Sequence, residues 1–223
     1  MYKNPYVKLR PPLRRPYTEV YLIRHCNPDY SLEKKLGEYN MPLSAAGKKQ
    51  RRYLTAQLVK IGLDKVYASG LPRAQQSASE LITASGLKLD VEERLDEIHW
   101  SNWHRVKYFN VSELNRKKKL VLHRELDKKL DKFQAEARRT LAVLCRNNKG
   151  KKIALFTHGN FIKSLLTGIL NADVIGFLSF EIFQSSVTKL VIDKDGFVKI
   201  NYINDVSHLP NQPSEDLFVT LLD

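Results

Sequence analysis

Residues 151–170 read KKIALFTHGNFIKSLLTGIL, and this stretch decides what kind of fold the chain can form. Two lysines open IALFTH, a continuous apolar run of the kind found in strands buried on both faces. Gly159 to Leu170 then reads as a helix, so a buried strand passes directly into a helix. A strand of this type needs helices on either side of its sheet, which makes an α/β architecture the expectation.

The same alternation recurs towards the N-terminus. Glu19 to Arg24 (EVYLIR) is short and β-prone, and the break Cys26-Asn27-Pro28-Asp29 ends it, leaving His25 at the start of a loop. Ser44 to Ile61 reads as a helix with Ser44 as N-cap and Leu54, Leu58 and Ile61 as its buried stripe. A second strand at Lys65 to Ala68 leads through Ser69-Gly70 into a helix from Leu71 to about Ala84, with Pro72 in the tolerated first turn and Arg73 beside it. Leu87 to Val91 is a third apolar segment, whereas residues 94–103 carry no local assignment.

Residues 112–148 read as one helix, with Leu126, Leu130, Phe133, Ala137, Leu141 and Leu144 as its apolar stripe. Val187 to Ile192 and Phe197 to Ile203 flank Asp193-Lys194-Asp195-Gly196, a hairpin signal. The expected fold is a three-layer sandwich: a mainly parallel sheet with helices on both faces. One domain is expected over residues 18–208, between a basic, Pro-rich arm (1–17) and a C-terminal tail (209–223).

The hydrophobic content of 43% suits an ordinary globular core. No run approaches the roughly 18 apolar residues of a membrane span, and the first residues lack the apolar centre of a secretory signal, so a cytoplasmic location is expected. Cys26 and Cys145 are the only cysteines, without the spacing of a zinc site or a disulfide framework. The 37 Lys and Arg against 24 Asp and Glu leave +13, a field that attracts phosphate esters, nucleic acids and acidic lipids alike.

In an open α/β sheet, ligands bind beyond the carboxyl ends of the strands. Three such ends carry Arg24-His25, Ser69 to Arg73, and His158-Gly159. Two imidazoles and two guanidiniums at one edge suit a tetrahedral dianion: the arginines fork onto its oxygens and a neutral histidine attacks phosphorus. Backbone N–H groups at the helix start after His158 would add neutral donors. Taken singly, a strand-end histidine is usually just a satisfied one and an arginine a surface charge. Their recurrence at successive strand ends favours a site.

These residues stand in motifs that resemble those of the histidine phosphatase superfamily, which also contains the cofactor-dependent phosphoglycerate mutases. Leu22-Ile23-Arg24-His25 is similar to its Arg-His-Gly signature. The similarity continues through Pro42-Leu43-Ser44 with Gly47, Ser69-Gly70-Leu71-Pro72-Arg73-Ala74 with Gln76 and Ala78, Arg94-Leu95-Asp96-Glu97, and Thr157-His158-Gly159. Five motifs in one order, over roughly residues 19 to 192, are far more specific than any one of them.

The resemblance implies a phosphoglycerate mutase-like fold and a phosphomonoester hydrolase working without metal or cofactor. It implies His25 as the nucleophile that becomes phosphohistidine, Arg24, Arg73 and His158 as the phosphate pocket with Gly159 beside them, and Glu97 as general acid. Neighbouring guanidiniums should keep His25 neutral, and a bound phosphate dianion should favour protonated Glu97. Asn27 and Ser31 are further substrate-binding candidates, Ser31 because the family often places a small polar phosphate contact there. Two places depart from the pattern: Cys26 replaces the usual glycine, and Trp100-Ser101-Asn102-Trp103 replaces a glycine motif.

Two other functions compete. A mutase-type phosphotransferase is disfavoured because roughly sixty positions separate Glu97 from His158, whereas the family's mutases resemble one another in a longer insert. An inactive fold holding a polyanion such as nucleic acid through its charge, Arg116 to Lys119 included, is disfavoured because His25, His158 and Glu97 are all present. The expected partner is a small phosphorylated substrate; oligomeric state has no signal in the sequence.

Overall fold

The computed structural model describes residues 13–99, 113–179 and 181–210, the side chains of residues 113–123 excepted. Its strands are β1 (Thr18–Arg24), β2 (Lys65–Ala68), β3 (Leu89–Val91), β4 (Lys152–Thr157), β5 (Val187–Ile192) and β6 (Val198–Asp205). They form one sheet in the order β3-β2-β4-β1-β5-β6. The first four pair in parallel, and β5 pairs antiparallel with β1 and β6. The sheet is thus mixed but mainly parallel, as expected.

The helices are α1 (Glu33–Leu36), α2 (Ala45–Val59), α3 (Pro72–Ser85), α4 (Glu113–Asn147), α5 (Gly159–Leu170) and α6 (Val174–Leu178). α2 to α5 match the periodic segments of the sequence. α1 and α6 are additions that barely complete a turn, too short for an apolar period to register. No helix among the described residues is long and apolar enough to cross a membrane.

Side-chain alternation explains the layers. In β1, Val20 and Leu22 face one way and Tyr21 and Ile23 the other, and both sets are buried. β4 repeats this with Ile153 and Leu155 against Ala154 and Phe156. The first face packs under Leu141 and Leu144 of α4 and Phe161 and Leu165 of α5. The second packs under Leu54 and Leu58 of α2 and Ala78 and Leu81 of α3. At about 1.5–3 kcal/mol for each fully buried large apolar side chain, these two cores hold the central strands in place.

Local signals set the element ends. The Ser44 hydroxyl accepts from the Gly47 N–H at 3.0 Å and caps α2. A Cβ on Gly47 would lie 2.0 Å from the carbonyl oxygen of Asn27, so only glycine lets α2 meet the loop after β1. Pro72 opens α3, and Gly86, at φ +70°, closes it in the left-handed region.

Residues 13–17 of the expected arm are tied to the β5–β6 turn: the Arg14 N–H donates to Asp193, and the Lys194 N–H donates to the Arg14 carbonyl. Residues 1–12 and 211–223, Trp100 to Trp103, and the side chains of Arg116 to Lys119 lie outside what is described.

Register places the chemistry. Arg24 pairs with Thr157 and Ala68 with Phe156, so His25, His158 and Ser69 emerge together at the carboxyl edge of the sheet.

Candidate active site

His25, the first residue beyond β1, is almost wholly buried. Its N–H continues the parallel ladder to the Thr157 carbonyl at 2.9 Å. Its Nδ1 lies 2.8 Å from the Cys26 carbonyl. A carbonyl only accepts, so Nδ1 carries the proton and Nε2 keeps its lone pair. Arg73 Nε donates to that Nε2 at 3.3 Å. Burial first, then the charges of Arg24 and Arg73, hold the His25 imidazole well below the usual histidine range. A neutral imidazole with Nε2 unprotonated is the nucleophilic form.

His158 follows β4 and is fully buried, its ring centroid 5.0 Å from that of His25. Its Nε2 lies 2.7 Å from Ser69 Oγ. That hydroxyl also accepts from the Leu71 N–H at 3.0 Å; donation of its own hydrogen to Nε2 would leave the His158 proton on Nδ1. Burial and the charges around it keep this imidazole neutral as well, well below its usual range. Nδ1 of His158 and Nε of Arg24 are buried and have no hydrogen-bond partner among the described residues. Buried polar atoms left in this way are costly, and a bound ligand is one means of satisfying them.

Arg24 ends β1, and its Nη1 donates to the Ile182 carbonyl. Gly159 begins α5 so close by that a Cβ there would lie 3.4 Å from the guanidinium carbon. Arg73, in the first turn of α3, is 4% exposed and also donates from Nη1 to the Glu38 carbonyl at 2.9 Å.

Glu97 approaches from the irregular segment after β3. Its Oε1 accepts from the N–H groups of Ile98 at 3.0 Å and Asn160 at 3.1 Å. Burial raises this carboxyl above its ordinary range, against the pull of Arg24, Arg73 and the two N–H groups. One donor at the start of α5 that the sequence suggested for substrate, the Asn160 N–H, is therefore committed to Glu97. The adjacent Asp96 serves the fold, accepting the Gly70 N–H at 2.7 Å.

The other candidates stand apart. Asn27 donates from Nδ2 to Gln184 at 2.7 Å and accepts the Ser44 hydroxyl at Oδ1, also at 2.7 Å, so its side chain cross-links the loop after β1. Ser31 is exposed and donates its hydroxyl to Asp29. Neither is hydrogen-bonded to the two imidazoles. Cys26 is buried in the core, its thiol pushed up to about 12 by burial, and so behaves as a small inert side chain.

Ser69 lies within one of the sequence motifs but carries no role there. The available signal was a hydroxyl one step past a parallel strand. The carbonyls of Glu38 and Ile182 and the Gln184 amide had none, because a backbone oxygen has no residue type and each comes from a distant segment.

The sequence matches the profile of the Histidine phosphatase superfamily (branch 1) over residues 20–205. A probable phosphoglycerate mutase, GpmB, of Enterobacter sp. (strain 638) is 22% identical over 211 residues, covering 89% of this chain and 98% of the relative. Phosphoglycerate mutase-like protein 4 of Arabidopsis thaliana is 29% identical over 161 residues, covering 67% and 70%. A phosphoserine phosphatase from Entamoeba histolytica, solved in complex with phosphoserine, superposes with a TM-score of 0.67 at 23% identity, covering 86% of this chain and 99% of that one. The architecture is therefore shared, and with the profile matched from β1 into β6, the chain belongs to branch 1 of the histidine phosphatase superfamily.

Proposed function

We propose that the chain hydrolyses a phosphate monoester in two steps through phosphohistidine at His25. The observation that carries this reading is the neutral His25 imidazole, its Nδ1–H turned to a carbonyl and its Nε2 beside Arg73. In the first step the Nε2–phosphorus bond forms as the ester P–O bond breaks, and Glu97 gives its proton to the leaving oxygen. In the second, water attacks phosphorus, Glu97 recovers a proton, and inorganic phosphate leaves His25 free.

Arg24, Arg73 and the Nδ1–H of His158 are assigned to the phosphoryl oxygens, with the Gly159 N–H as a neutral donor. Asn27 is assigned to holding the loop. Residues 18–208 are taken as the catalytic domain, acting in the cytoplasm on a small phosphorylated compound of the class named for the phosphoserine phosphatase neighbour.

The names of the mutase relatives favour a second reading, return of the phosphoryl group to another hydroxyl of the substrate. Incubation with phosphomonoesters and quenching in base should trap acid-labile phosphate on the protein and release inorganic phosphate; both should vanish in His25→Ala. Isomerised ester without released phosphate would establish the mutase, and acid-labile phosphate on His25→Ala would sink the nucleophile assignment.

A further inference from the structure

The amino end of β1 and the β5–β6 turn border a cleft of about 310 Å³, at the lower edge of the size range of ligand cavities. Thr18, on its wall, opens β1, which puts the cleft about 20 Å from Arg24 at ~3.3 Å per strand residue. Its lining is apolar where Leu141, Ala142 and Cys145 of α4 meet Ile169, Ile192 and Val198. Cations surround that lining. Arg138 is held to the Gly168 carbonyl and Lys194 is paired with Asp195. Arg146 and Lys149 are exposed and have no acidic partner among the described residues. The one acid on the wall, Asp193, already accepts backbone N–H groups from Arg14, Asp195 and Phe197.

We propose that this cleft is a second binding site, separate from the His25 pocket, for a small amphipathic carboxylate. Its hydrocarbon body covers the Leu141–Ile192 floor, and its carboxylate takes charge-assisted hydrogen bonds from Arg146 and Lys149. The charge selects the occupant. A neutral apolar molecule leaves both cations unused, and a basic segment is repelled; residues 1–12 contain Lys3, Lys8 and Arg10 and no acid.

The test is a fluorescence titration of the full-length protein with anilinonaphthalene sulfonate, an aromatic anion, in the presence of vanadate to occupy the catalytic pocket. Saturable binding is expected, displaced by decanoate but not by decanol. Arg146→Glu with Lys149→Glu should weaken it by about tenfold or more, since like charges then face the anion. Ala142→Phe should fill the cleft and abolish binding. Unaltered hydrolysis of an aryl phosphate by these variants establishes that each has folded. Absence of saturable binding with vanadate present, equal competition by decanol, or indifference to all three substitutions would each overturn the proposal.

Discussion

At their carboxyl ends β1 and β4 deliver His25 and His158 into a buried cluster of polar groups; the amino end of β1 borders an apolar cleft with charges at its rim. The first region removes water from two imidazoles and an arginine and compensates with fixed hydrogen-bond partners: the carbonyls of Cys26 and Glu38 and the Ser69 hydroxyl. The second leaves its cations in solvent, where they need no fixed partner. Burial that fixes protonation and tautomer is what phosphoryl transfer requires. Binding alone needs only shape and exposed charge. Catalytic damage should therefore be concentrated at one end of the strands.

The largest effect is expected from His25→Ala, with turnover falling by at least about 10⁴-fold while circular dichroism is unchanged, since no other group replaces the proposed nucleophile. Residual turnover within tenfold of the parent would break the contrast between the two ends.

Glu97→Gln follows. Alkyl phosphates should slow by about 10²–10⁴-fold, and aryl phosphates, whose phenolate departs without a proton, by much less. Burial keeps the carboxyl protonated to higher pH than an ordinary one, so activity on alkyl esters should fall as pH rises through its raised pKa. That alkaline limb should disappear in Glu97→Gln while the acid limb remains. Equal losses on both ester classes would make Glu97 structural.

His158→Ala should cost about 10²–10³-fold through loss of one donor to the transition state. It should also change acid sensitivity. Both imidazoles titrate below their unfolded value of about 6.5, so between the two values the unfolded chain binds the extra protons and stability falls as pH falls. Urea midpoints at pH 7 and 5 should therefore lie further apart for the parent than for His158→Ala; equal spacing would mean that folding does not lower the pKa of His158.

The smallest effects are expected at the other end and from metal removal. Arg146→Glu should leave aryl phosphate turnover within about twofold, as surface substitutions remote from a site usually do. Excess chelator should have no effect, because in the proposed mechanism Arg24 and Arg73 supply the positive charge that a metal provides elsewhere. Activity lost on chelation and restored by zinc or magnesium would overturn that account.

Much of the framework was legible from neighbours a few residues apart. β2 as Lys65–Ala68, α5 as Gly159–Leu170, the Ser44 cap and the burial of Leu130, Ala137, Leu141 and Leu144 all follow from period, capping and turn chemistry. Arg24, His25, Arg73, Glu97 and His158 stood out because strand ends and ordered motifs are local too.

Tertiary structure alone decided which strands are neighbours, which nitrogen of His25 carries the proton, that the α5 backbone holds Glu97, and that α1 and α6 exist. It also decided that Pro16, Arg146 and Val198 border one cleft. His158 reaches Ser69 across 89 positions and Arg24 reaches Ile182 across 158. Local periodicity extends over a turn or two, whereas these contacts arise only when distant segments pack.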